Sequence, residues 1–205
     1  MRTETKKFNV YSFDELSDEA KEAARDKWRE FSTIEDFDYV IEDATTVGAI
    51  IGIDIDKIYF SGFCSQGDGA CFEGSYAYKK GSLKALEAYA PQDSELKNIA
   101  LELYKLQRKY FYKITANVSH RGNYYHERCT DINVYRGLND NEGFYSDEYA
   151  PTELHDEIAE LLREFMQWIY SRLDKENDWI NSDEYIDDNI KANDYEFNED
   201  GSFYN

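Results

Sequence analysis

The sequence predicts an α+β fold: an antiparallel β-sheet with helices packed on one face, a long C-terminal helix and a terminal β-hairpin. Three observations lead there. Strand-period segments come in adjacent pairs joined by glycine-bearing turns, as antiparallel hairpins require. Helix-period segments of uneven length separate them, without the regular strand–helix alternation of a doubly wound sheet. The longest amphipathic pattern starts at 152 and runs to about 174 or beyond. At 205 residues a single α+β domain, 1–205, is expected, with an acidic helical part at about 151–205.

Each element follows from local chemistry. Residues 6–11 alternate enough for a short strand. Ser12-Phe-Asp-Glu15 has capping-box spacing, and Ser17 repeats the signal before the helix formers of 18–31. Ala20, Ala23, Ala24, Lys27, Trp28 and Phe31 form the apolar stripe of that helix. A second helix is predicted from Ile34 to Ile51, on Phe37, Val40, Ile41, Ala44 and Val47, with Gly52 as its stop. The period then shortens: Ile53, Ile55, Ile58 and Phe60 begin a strand, the glycine-rich 62–69 turns, and 70–78 returns. Helices follow at 82–89, capped by Ser82, and from Asp93 or Ser94 to about Lys109. Residues 113–119 and 124–135 read as a hairpin around Arg121-Gly-Asn123, and 138–149 as a polar, acidic loop. Pro151 and Thr152 open the long helix. Ser182 caps another through Ala192, and 195–204 closes as a hairpin turning at Asp200-Gly201.

The chain carries 43 acidic and 23 basic residues, a net of −20, and the surplus is uneven. Residues 151–205 hold 16 acids against four bases, whereas 101–150 hold seven of each. Such a charge repels nucleic acid and membrane surfaces, so a basic protein partner is expected, with no direct nucleic acid and no membrane. Three cysteines (Cys64, Cys71, Cys129) cannot all pair within one chain, which fits a reducing cytoplasm. No apolar stretch follows the first residues, so no signal peptide is expected, and the longest aliphatic run, 47–53, is too short for a span.

No catalytic residue is assigned. The 62–69 turn lacks the Lys-Ser/Thr ending of a phosphate loop. It reads as a tight or bulged turn, or as a ligand contact through Gln66 and Asp68. Cys64 and Cys71 are spaced too widely for a zinc knuckle, so no metal and no cofactor is predicted. Residues 119–128 gather His120, Arg121, Tyr124, Tyr125, His126 and Arg128. Strand alternation would put Tyr124, His126 and Arg128 on one face, and Tyr125, Glu127 and Cys129 on the other. The segment is either a polar sheet face packed cross-strand or, with Gln66 and Asp68, a small-ligand or nucleotide site. Lys105, Arg108, Lys109 and Lys113 interleave with Tyr104, Tyr110, Phe111 and Tyr112, as in single-strand binders. In so acidic a chain these cations are expected to neutralise its own acids. Asp183, Glu184, Asp187 and Asp188 match no calcium loop. They form either a solvated face or a carboxylate array imitating phosphate spacing, with Tyr149, Tyr185 and Tyr195 as partner anchors.

Four stretches carry a resemblance: Tyr11-Ser-Phe-Asp-Glu-Leu-Ser-Asp-Glu-Ala-Lys, Ile58-Tyr-Phe-Ser-Gly-Phe-Cys-Ser-Gln-Gly-Asp-Gly-Ala-Cys-Phe, His120-Arg-Gly-Asn-Tyr-Tyr-His and Tyr195-Glu-Phe-Asn-Glu-Asp-Gly. They resemble a family of mostly uncharacterised phage and prophage proteins, some of them labelled antitoxins of toxin–antitoxin systems. The resemblance covers almost the whole chain and supplies no catalytic residues. It implies a non-catalytic protein of the host cytoplasm that inhibits a basic, nucleic-acid-acting host protein or toxin by stoichiometric binding. An anti-defence role through DNA mimicry fits that charge. A ligand binder and a structural phage component are the other readings.

Overall fold

The computed structural model describes residues 1–4, 7, 9–32, 37–139 and 145–204. In chain order the elements are β1 (Tyr11–Ser12), α1 (Asp18–Phe31), α2 (Asp38–Ile51), β2 (Ile53–Ser61), β3 (Gly69–Ala77), α3 (Ser82–Tyr89) and α4 (Ser94–Lys109). There follow β4 (Ile114–His120), β5 (Thr130–Asn139), β6 (Tyr145–Tyr149), α5 (Thr152–Ile180), α6 (Asp183–Ala192) and β7 (Glu196–Phe197). The architecture is α+β, as the sequence predicts. The chain forms two compact units: Met1–Asp36 with Lys175–Asn205, and Phe37–Asp174.

The first, terminal unit is built on α1. The Ser17 hydroxyl accepts the Ala20 N–H at 3.2 Å, supplying the N-cap read from sequence. Ala20, Ala24 and Trp28 are buried with Phe13, Leu16, Ile186, Ile190 and Phe197, so α1 and α6 share one apolar core. Ser182 caps α6 by accepting the Tyr185 N–H at 3.2 Å. The closing hairpin forms: Asn198 N–H donates to the Ser202 carbonyl at 2.9 Å and Tyr204 N–H to that of Glu196 at 2.8 Å. Its tip needs glycine, because Gly201 has φ +81° and a Cβ there would lie 2.0 Å from the Ala20 carbonyl oxygen. A pairing invisible in the sequence joins the ends of the chain, with Tyr11 opposite Phe197 and Ser12 opposite Glu196. Of the strand predicted at 6–11, Lys7, Asn9 and Val10 are not strand and Tyr11 is, in β1; Lys6 and Phe8 lie outside the described residues.

The second, central unit is a five-stranded antiparallel sheet in the order β2-β3-β4-β5-β6. Gly52, at φ +94°, ends α2 in the left-handed cap expected of it and turns the chain into β2. Alternation sends Ile114, Ala116, Val118, Ile132 and Val134 to the buried face. Helices cover that face: Phe72 of β3 meets Phe165 of α5, and Phe60 of β2 meets Phe37 at the start of α2. Asp93 caps α4 through the Leu96 N–H at 2.9 Å, and its other oxygen accepts the Trp168 indole N–H at 2.8 Å.

Three local expectations are corrected. Residues 124–128 are not strand: β4 ends at His120, β5 starts at Thr130, and a short 3-10 turn occupies Glu127–Cys129. Local bonds hold this loop, with Cys129 N–H on the His126 carbonyl at 2.9 Å and Thr130 Oγ1–H on the Glu127 carbonyl at 2.8 Å. The two-face assignment of 124–129 therefore fails. Second, 138–149 is not all loop. β5 runs on to Asn139 and pairs with β6, setting Arg136 opposite Glu148 and Tyr135 opposite Tyr149, while 140–144 lie outside the described residues. Third, Gly81 at φ +85° occupies the cap position of α3, and Ser82 is its first helical residue. Among the described residues, no helix is long and apolar enough to cross a membrane.

Candidate functional site

The acidic surplus is concentrated in the terminal unit. Its 67 residues hold 20 acids against nine bases, a net of −11, whereas the 138 residues of the central unit hold 23 against 14, a net of −9. The four α6 acids do not form one array. Asp187 grips Arg25 with both oxygens, at 2.7 and 2.8 Å. Asp183 takes Arg29 at 2.6 Å and stands 3.6 Å from Arg25. The bond to Asp187 holds the Arg25 guanidinium well above its ordinary pKa. Asp183 and Asp187 thus fasten α6 to α1, and Glu184 and Asp188 face solvent. Tyr185 leans edge-on against Trp179 at 5.9 Å, and Tyr195 against Trp28 at 5.7 Å. Tyr149 belongs to the central unit, on β6, and is 70% exposed.

On the outer face of the sheet, strand register places Lys57 beside Glu73 and Tyr59 beside Cys71. The 121–129 loop brings aromatic groups to that face. The His120 ring stacks on Tyr59 at 4.8 Å, and Tyr125 lies 5.5 Å from Tyr59. Lys57 Nζ stands 4.3 Å from the Tyr59 centroid. Glu73 accepts the Tyr59 hydroxyl at 2.8 Å and the His120 N–H at 3.1 Å, and these two bonds lower its pKa. The same Glu73 bond raises that of Tyr59. His120 Nε2 faces the Tyr124 carbonyl at 3.0 Å; a carbonyl only accepts, so Nε2 carries the proton. His126 Nδ1 accepts the Arg128 N–H at 3.1 Å, which leaves Nε2–H to donate to Cys129 Sγ at 3.3 Å. Gly69 makes room for His126, because a Cβ there would lie 2.6 Å from the His126 Cβ.

The other predicted ligand residues are engaged within the fold. The Asp68 carboxylate accepts the Cys64 and Ser65 N–H groups at 3.0 and 2.6 Å, closing its own turn. Arg121 pairs with Asp131 at 3.3 Å, and Arg128 binds Glu160 of α5 at 3.1 and 2.9 Å. Gln66 is exposed at the turn tip and is joined to none of these by a hydrogen bond among the described residues. The three cysteines are free: Cys64 is exposed, Cys129 half-buried and Cys71 buried. Burial first, then the Cys129 thiol, pushes Cys71 up to about 12. Among the described residues, no cluster of three or more His, Cys, Asp or Glu is placed to hold a metal. Sequence reasoning found His120 but missed Lys57, Tyr59 and Glu73. The i, i+2 spacing of Lys57 and Tyr59 on a strand was the available signal.

The basic–aromatic segment behaves differently from expectation. Only Lys105 of its four cations takes a carboxylate, Glu102 at 2.6 Å; Arg108, Lys109 and Lys113 have no acidic partner among the described residues. Lys109 and Arg136 both stand over the Tyr110 ring, at 5.3 and 5.5 Å.

A family model matches residues 37–183, most of the chain and all of the central unit. The chain belongs to that family, the Domain of unknown function (DUF8835). No curated protein and no solved structure matches the chain. The DUF8835 region holds both the Tyr59–His120 platform and the basic–aromatic turn. It reaches only the first residue of α6, so most of the acidic terminal unit lies outside it.

Proposed function

We propose that this chain works by stoichiometric binding, without chemistry of its own, to a basic partner that docks on the terminal unit. The observation that supports this reading is the net of −11 within 67 residues. Exposed carboxylates on α1 (Glu19, Glu22, Asp26) and α6 (Glu184, Asp188) supply the field. A dense acidic surface of this kind suits the cationic groove of a nucleic-acid-acting protein, whether a host defence enzyme, a nuclease or a toxin. The phage-protein resemblance points the same way, to an anti-defence or antitoxin-like inhibitor that imitates DNA. Charge complementarity would speed encounter and fade with salt.

The structure dictates which acids the test must spare. Asp183 and Asp187 hold α6 to α1, so their neutralisation would confound binding with folding. Glu19→Gln, Glu184→Gln and Asp188→Asn together remove surface charge and leave the Arg25 cluster, which also takes Glu22 at 3.0 Å, in place. Host-cell proteins are captured on wild type and variant at about 50 and about 500 mM salt, where the Debye length falls from about 14 to about 4 Å. A basic nucleic-acid-acting protein held by wild type at low salt, and lost both at high salt and by the variant, is the expected result. Equal retention by the variant sinks the acidic-surface reading. A second reading, a small-ligand or nucleotide binder, is supported by the Tyr59–His120–Tyr125 stack beneath Lys57. A thermal shift with nucleotides that His120→Ala abolishes would favour it.

A further inference from the structure

The turn after α4 is strained in an unusual way. Phe111 and Tyr112 both adopt left-handed backbone angles, φ +58° and +62°. Two consecutive bulky residues resist that conformation, and it persists only where the surroundings impose it. Here they do. Tyr112 N–H donates to the Gln107 carbonyl at 2.6 Å, and the fully buried Gln107 side chain clamps Ile114 through both backbone groups, at 2.7 and 3.2 Å. Phe111 is consequently held out in solvent, 76% exposed. Tyr112 closes on Tyr78, ring centroids 4.3 Å apart, with Tyr104 6.3 Å away. Tyr78 and Tyr104 wall a depression of about 250 Å³ that Lys84 also lines.

The charge here opposes that of the whole chain. Residues 76–113 hold eight bases against four acids, a net of +4. Three of the four acids are already paired: Glu87 with Lys97, Asp93 with Arg172 and Glu102 with Lys105. Lys84, Arg108 and Lys109 have no carboxylate partner among the described residues. Because a charge is felt over about 8 Å at physiological salt, an anion on this turn responds to these cations rather than to the total of −20.

We infer that the α4 turn is a docking surface for a short stretch of single-stranded nucleic acid, its bases stacking on Phe111 and Tyr112 and its phosphates meeting Lys84, Arg108 and Lys109. Exposed aromatic planes beside cations are what a base-and-phosphate polymer uses. An acidic peptide would use the cations but would give Phe111 no reason to be held in water. The inference concerns the central unit alone and does not rest on the acidic-partner reading. It reverses the expectation that these cations serve only the protein's own acids.

Anisotropy of labelled oligouridine and oligothymidine, about 12 nucleotides long, titrated with the full chain tests it. Binding is expected at about 50 mM salt, with log affinity falling against log salt at a slope of about −2 for three phosphates. Phe111→Ala should weaken it roughly fivefold to a hundredfold. Lys84→Glu with Arg108→Glu should abolish the salt-dependent part. Phe111→Gly relaxes the backbone strain, so weaker binding by a variant of unreduced melting temperature excludes misfolding as the cause. Absence of binding to both oligonucleotides, or affinity unchanged by these variants, overturns the proposal. Competition by polyglutamate as strong as by oligonucleotide also overturns it, and assigns the turn to an acidic peptide.

Discussion

Asp93 joins two helices, α4 and α5, through one carboxylate. It caps α4, accepts the Trp168 indole N–H and pairs with Arg172, whose guanidinium lies 5.1 Å from the Trp168 ring. Burial pushes its pKa up, but the Leu96 N–H, the indole and Arg172 together outweigh burial and hold it below the ordinary carboxylate value. With the folded pKa below the unfolded one of about 3.9, the stabilisation is complete above that pH and drains away as pH falls through the folded value. Asp93→Asn should therefore flatten the acid limb of a urea-denaturation pH series and cost about 2 kcal/mol at pH 7. Phe111→Gly should act in the other direction, raising stability by about 1 kcal/mol in calorimetry by removing a left-handed bulky residue. Thiol reagents should modify exposed Cys64 in the native protein and reach Cys71 only on unfolding, because burial holds Cys71 as a neutral thiol with a pKa of about 12.

The α1–α6 pair stands on a shared apolar core and on Arg25, whose side chain is 17% exposed between Asp187, Asp183 and Glu22. Arg25→Ala should cost about 2 kcal/mol after allowance for partial solvent screening, read from denaturant midpoints. Gly201→Ala should cost more, about 3 kcal/mol, since it adds a backbone clash to a left-handed strain. Helices were the readable elements: α1 spans the predicted 18–31, and α2 and α6 stop and start at their glycine and serine signals. Such signals act within one turn of helix, so a linear reading finds them. The 124–129 segment shows the opposite case. Its residues alternate like a strand, yet His126 seated over Gly69 and the bonds of Arg128 and Cys129 to His126 shape a loop instead. The partner that decides the matter is more than fifty residues away in sequence, and no period announces it.

For the molecule as a whole, −20 is a self-repulsion that salt relieves. The melting temperature should rise between about 20 and about 200 mM sodium chloride, as the Debye length shortens from about 20 to about 7 Å. A flat response would mean that the surplus acids are already matched internally. Most secondary-structure types, the capped helix ends and the uneven distribution of charge along the chain were legible in the amino-acid order, because capping, periodicity and composition are local or additive properties. Which charges are free was not. Arg25 meets Asp187 from 162 positions away, so two of the four acids predicted to face a partner are spent on folding. Conversely, Arg108 and Lys109, expected to be neutralised, are left facing outward by a turn that Gln107 and Ile114 fix from inside the core. Ion pairing depends on distances through space of a few ångströms, and only packing brings positions so far apart in the chain within that range.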